Sequence, residues 1–173
     1  MEVFVKRENW DGGIWMKLPA LEEQAEQIQK ELAGYHPSRM IPFIGDVQVP
    51  VVGLAPLLIG EFVFQDSNLG QLNYLATKIG SWSEQERAVF EAVLQNEKPD
   101  SLLRIVETMD HLDQYECHPE IKSLEHYGHY LFEQEGRTLP VELTGYFDYE
   151  AYGRIHMKSS ERLTDEGLIT RIK

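Results

Sequence analysis

The chain has 173 residues, 42% hydrophobic and 26% charged, the balance of a folded protein long enough to bury a core. Its 29 acids against 16 bases leave a net charge of −13, which argues against binding nucleic acid or an anionic membrane, since both reward Lys and Arg. One cysteine, Cys117, excludes an internal disulfide and points to a reducing compartment.

Residues Met1 to Arg7 show no basic segment followed by an apolar one, so no signal peptide is expected. The longest apolar run, Val49 to Ile59, is broken by Pro50, Gly53 and Pro56 and falls short of the ~20 residues of a membrane span. A cytoplasmic protein is expected.

Glu2–Lys6, rich in Val and Phe, reads as a strand. Asn9 to Gly13 is turn chemistry, and Ile14–Leu18 reads as the returning strand of a hairpin. Pro19 suits the first position of a helix. Leu21, Ala25, Ile28 and Leu32 then recur at helical spacing, with Gly34 as the expected stop. Tyr35–Pro42 is a connection. Ile41–Val52 and Leu57–Phe64 read as short strands, from their β-branched and aromatic content.

At Asp66-Ser67-Asn68 the chain changes character. This cluster is expected to cap a helix over Leu69–Ile79, ended by Gly80. Ser83 and Glu86 form a capping box for a helix to about Asn96. Asp100-Ser101 caps a third, with Leu102, Leu103, Val106, Met109 and Leu112 apolar. Together these predict a helical cluster from about Ser67 to Gln114. Pro119 is expected to open a further helix carrying Ile121, Leu124, Tyr127 and Leu131, ending by Gly136. Asp148 is a candidate N-cap. Glu161–Thr164 and Leu168–Ile172, joined by Asp165-Glu166-Gly167, read as a terminal hairpin. The expected class is α+β, in three small domains at 1–65, 66–114 and 115–173.

The acidity belongs to the middle. Ser81 to Glu120 holds ten acids and three bases, −7 of the total −13, whereas residues 151–173 carry +2. Glu107, Asp110, Asp113 and Glu116 fall at steps of three. On a helix that step is a rise of ~4.5 Å, comparable with the ~3.4 Å axial spacing of phosphates on a DNA strand. Charge alone leaves three readings open: a solvated surface, an acidic adaptor for a basic protein, and phosphate mimicry. Cys117, His118, His126 and His129 supply the residue types of a zinc site. No CxxC or HExxH spacing accompanies them, and a metal-dependent enzyme is the weaker alternative. No phosphate-binding glycine motif is present.

The segment Gly145-Tyr-Phe-Asp-Tyr-Glu-Ala-Tyr-Gly-Arg154 resembles the C-terminal signature of ArdA-type antirestriction proteins. Phe64 to Ala76, with its Leu72-Asn73 pair, resembles that family's junction into a helical domain. Trp10, Gly13-Ile14-Trp15 and Leu18-Pro19 resemble its opening hairpin. The resemblance implies an elongated three-domain protein that dimerises through its third domain. It implies a DNA mimic that occupies the DNA site of a Type I restriction–modification enzyme, the methyltransferase–specificity complex, with no cofactor, no catalysis, no direct nucleic acid binding and no membrane. The carboxylates expected to carry the effect are Glu84, Glu91, Glu97, Asp100, Glu107, Asp110, Asp113, Glu116 and Glu120. The aromatic block Tyr146, Phe147, Tyr149 and Tyr152 is expected in a core or dimer interface.

Overall fold

The computed structural model describes residues 1–8, 11–35 and 41–172. Asn9 and Trp10 of the expected turn, and most of the Tyr35–Pro42 connection, lie outside the described residues. The fold is mixed α+β, with two small antiparallel three-stranded sheets among the described residues. The chain divides into two compact units, Met1–Asp110 and His111–Lys173.

In the first unit, β1 (Glu2–Lys6) lies between β2 (Gly13–Lys17) and β3 (Phe43–Gln48). The predicted hairpin forms, with Phe4 opposite Trp15 and Val5 opposite Ile14. Val3, Val5, Met16 and Ile44 are buried and supply the inner face by two-residue alternation. Helix α1 (Glu22–Tyr35) buries Ala25 and Leu32, but Leu21 stays outside the helix and is exposed.

Pro19 does not open α1. It follows a cis peptide bond, and the next residue is held by tertiary bonds: the Ala20 amide donates to Asn73 Oδ1 at 2.7 Å, and Asn73 Nδ2 donates to the Ala20 carbonyl at 2.9 Å. The Leu21 amide then bonds Gln24 Oε1, and the helix starts one residue on. Gly34 is no stop, since α1 runs through it.

The expected strand over Leu57–Phe64 is also absent. Val52–Leu54 forms a 3₁₀ turn that runs into the short helix α2 (Ala55–Leu58). Pro56 fits the start of a helix, where its missing N–H costs nothing, and Leu54 and Leu58 are both fully buried at a four-residue spacing. Phe62 keeps a bridge to Phe43, flanked by backbone bonds from the Ile44 amide to the Glu61 carbonyl and from the Val63 amide to the Pro42 carbonyl.

Helices α3 (Asn68–Ser81), α4 (Glu84–Glu97) and α5 (Leu102–Asp110) complete this unit. Their buried faces carry Leu72, Leu75 and Ile79, then Phe90, Val93 and Leu94, then Leu102, Ile105 and Met109. Leu103, expected on the apolar face, is exposed. Ser67 occupies the N-cap position of α3 without a side-chain cap bond, and Gly80 does not end that helix.

In the second unit, β4 (Tyr115–His118), β6 (Gly167–Arg171) and β5 (Glu161–Thr164) pair in that order. The terminal hairpin is as expected, and Gly167 takes a φ of +130° in its turn. β4 was not expected. Its partner is far along the chain, with Cys117 opposite Ile169. Consequently Pro119 sits in a turn, and the helix α6 (Leu124–Gln134) opens later, where Ser123 Oγ accepts the His126 amide at 3.1 Å. A 3₁₀ segment, Val141–Tyr146, precedes α7 (Tyr149–His156), whose N-cap is Asp148, accepting the Ala151 amide at 2.8 Å.

Helices α6 and α7 cross at two glycines. A Cβ on Gly128 would lie 1.9 Å from the Tyr149 carbonyl oxygen, and one on Gly153 would lie 2.2 Å from that of Leu124. Gly153 of the Gly145–Arg154 segment is therefore a contact point between backbones. Ile121, Tyr127 and Leu168 form the buried centre of this unit.

Candidate acidic binding surface

The acids of α4 have different duties. Ser83 and Glu86 form the predicted capping box, with the Ser83 amide donating to Glu86 Oε2 at 2.7 Å. Those bonds, first the backbone one and then the hydroxyl, hold the Glu86 carboxyl below its usual range. Glu86 is thus committed to the helix end. Glu84 is exposed in the same first turn, where the helix dipole favours an anion. Glu91 is half-buried, and its Oε2 accepts the Val52 amide at 3.3 Å from 39 residues away. It ties α4 to the 3₁₀ turn before α2.

Glu97 ends α4, exposed, with the Asn96 side-chain amide 3.1 Å from its Oε1. Lys98 follows in the left-handed region (φ 48°), its amide closing the helix onto the Leu94 carbonyl. Asp100 is exposed ahead of α5. In α5, Glu107 pairs with Arg104 at 3.2 Å, and the final residue, Asp110, accepts the Tyr74 hydroxyl at 2.7 Å. The last turns of α4 and α5 contain no basic residue. Their carboxylates therefore stand where the helix macrodipole already places about half a negative charge.

The step-of-three ladder is shorter than expected. Glu107 and Asp110 share α5, but the helix ends at Asp110. Asp113 lies in a 3₁₀ turn (Leu112–Gln114) and Glu116 on β4, both exposed and both in the second unit. Glu120 follows β4 and meets His118 Nδ1 at 3.2 Å. The six acids from Glu84 to Asp110 belong to the first unit and these three to the second.

Three of the four block aromatics gather around the nearly buried Phe132. Its ring centroid is 5.0 Å from Phe147, 5.7 Å from Tyr149 and 6.0 Å from Tyr152. Tyr152 also donates to Glu135 Oε2 at 2.7 Å, which raises the phenol's pKa. Tyr146 stands apart from that group, 87% exposed.

The Cys–His set does not converge. His129 stacks on Tyr149 at 3.5 Å, His118 leans on Tyr130 and Glu120, and His126 is exposed. Burial, then Glu166 and Glu120, push the Cys117 thiol up, away from the reactive thiolate. Among the described residues no three or more His, Cys, Asp or Glu are grouped to hold a metal ion.

Sequence reasoning did not separate structural acids from available ones. Glu61 Oε1 accepts the Leu102 amide at 3.2 Å, and Glu91 acts likewise on Val52. Only the Ser83–Glu86 spacing betrayed such a role in advance. It also passed over Tyr74 and Glu31, and it reads Glu22, Glu23 and Glu26 only as acids near the N-terminal end of α1; all four acids are exposed, and Glu26 pairs with Lys30 at 3.2 Å. No helix among the described residues is long and apolar enough to cross a membrane.

No curated protein matches the chain. The family model for the antirestriction protein ArdA matches residues 11–170. Nearly the whole of both units falls within that match, and the chain belongs to the ArdA antirestriction family, whose members are non-enzymatic, DNA-mimicking inhibitors of Type I restriction enzymes.

Proposed function

We propose that the exposed carboxylates at the ends of α4 and α5 form the working part of the mimic. Glu97, Asp100, Glu107 and Asp110 stand in for backbone phosphates in the DNA groove of the methyltransferase–specificity complex. Glu84 extends this set at the start of α4, and Asp113, Glu116 and Glu120 contribute from the second unit. Glu91 acts by holding α4 in place. The observation that carries this is that α4 and α5 each end in an exposed acid, Glu97 and Asp110, with no base inside either last turn and Lys98 only beyond the end of α4. A helix end optimised for stability would carry Lys or Arg there. Acids weaken the helix but deepen the negative potential outside it.

The protein acts in the cytoplasm as a homodimer joined through residues 115–173. Supporting this, the second unit exposes Val141 (87%), Tyr146 (87%) and Ile155 (77%), large apolar groups of the kind that interfaces bury. The elongated three-domain division at 1–65, 66–114 and 115–173 rests on the family resemblance and on the change of character at Asp66–Asn68.

Charge reversal tests the surface. Glu97→Lys, Glu107→Lys and Asp110→Lys, made singly and together, are assayed as inhibitors of DNA cleavage by a purified Type I enzyme. Each single change should weaken inhibition by about twofold to fivefold and the triple by well over about tenfold, because many screened contacts share the footprint. An unimpaired triple variant would move the working surface elsewhere.

A further inference from the structure

Asp110 is an exposed carboxylate fixed by a distant side chain. Its partner, Tyr74, lies on α3, 36 residues earlier, and is 39% exposed. The phenol hydroxyl donates to Oδ1 at 2.7 Å. Among the described residues, no hydrogen bond or ion pair engages Oδ2. Lys78, one turn further along α3, sits over the Tyr74 ring with its ammonium 5.5 Å from the centroid. That cation rests on the ring and forms no ion pair with Asp110 among the described residues. One carboxylate oxygen is therefore held by the phenol.

Asp110 needs such a hold. It is the last residue of α5, at the negative end of the dipole, where a free carboxylate is repelled and its side chain would swing into water. A tyrosine has only two torsions, and this one springs from the middle of a packed helix, so its hydroxyl is a rigid anchor.

We propose that Tyr74 is a positioning residue for inhibition: its hydroxyl presets the Asp110 carboxylate so that Oδ2 meets a cation of the target's DNA groove. The proposal rests on the mimic reading above. Preorganising a side chain removes part of the ordering cost of binding, so the effect belongs to affinity. The bond with Asp110 is also the first cause of the raised pKa of the Tyr74 phenol, which like any tyrosine hydroxyl carries its proton at neutral pH.

The test is displacement of labelled duplex from a purified methyltransferase–specificity complex by four proteins: wild type, Tyr74→Phe, Asp110→Asn and the double variant. Thermal midpoints are measured alongside. Tyr74→Phe should weaken displacement by about threefold to tenfold in the wild-type background and not at all in the Asp110→Asn background. It should leave the salt slope of displacement at its wild-type value, while Asp110→Asn lowers that slope by about one. Equal losses in both backgrounds, or a lower midpoint with unchanged affinity, would make Tyr74 a structural tether only and overturn the proposal. If all four proteins fail alike to displace DNA, the mimic reading falls and takes the proposal with it.

Discussion

The Tyr127 hydroxyl donates to Glu161 Oε2 at 2.5 Å, joining α6 to β5 inside the second unit. Both residues are buried, and the same carboxylate oxygen accepts the Lys158 amide at 2.8 Å. Burial first, and then the bond to Glu161, push the Tyr127 phenol well above its ordinary value. Below about pH 10 the folded and unfolded chains both keep this proton, so the interaction is fully present. Above that, the unfolded chain releases it while the folded one retains it, and stability falls as pH rises. Denaturant titrations from pH 8 to 11 should show this loss, and Tyr127→Phe should flatten it. At neutral pH the same variant should cost about 1–3 kcal/mol, since Glu161 loses a donor it cannot replace with water.

The crossing of α6 and α7 makes a sharper prediction. Gly153→Ala or Gly128→Ala should destabilise the second unit by roughly 3 kcal/mol or more, because the added methyl meets backbone oxygen that cannot move without parting the helices. Gly80→Ala in α3 has open space around its Cβ and should instead stabilise by about 0.5–1 kcal/mol. Thermal unfolding of the three variants checks both signs.

Glu91 and Glu97 should behave oppositely although both are acids of α4. Glu91→Ala removes the acceptor of the Val52 amide and should cost about 0.5–1 kcal/mol of stability, since Val52 is exposed and water can reach it. Glu97→Lys replaces an anion at the negative helix end, so it should leave stability unchanged or raise it by about 0.3–1 kcal/mol while weakening inhibition. Paired thermal and inhibition measurements would show the separation; a loss of both in Glu97→Lys would contradict it.

Local chemistry was legible in the sequence where it acts alone. The Ser83–Glu86 capping box, the Asp148 N-cap and the Gly167 turn each needed only neighbouring residues, and each is present. Pairing over distance was not legible. β4 exists because Cys117 meets Ile169, and Pro19 fails to open α1 because Asn73 holds Ala20. The Leu54–Leu58 helical step was hidden by β-prone residues around Pro56. For the acidic surface the acids could be counted from the sequence, but their duties could not. Whether an acid is exposed, as Glu84 is, or accepts a backbone amide, as Glu91 and Glu61 do, is decided by segments some 40 residues away.

Salt offers a further check. Screening acts on every exposed contact at once, so inhibition should weaken steeply between low and moderate ionic strength, while folding, held by buried apolar groups, changes little. Equal salt sensitivity of folding and inhibition would mean that the loss reflects unfolding.

The most direct test of the mimic is competition. Labelled duplex DNA is bound to a purified Type I methyltransferase–specificity complex, and the protein is titrated in at two salt concentrations, with its own DNA binding measured in parallel. The account predicts displacement that is stronger at low salt and no DNA binding by the protein itself. A folded protein that leaves the duplex bound at both concentrations would contradict it.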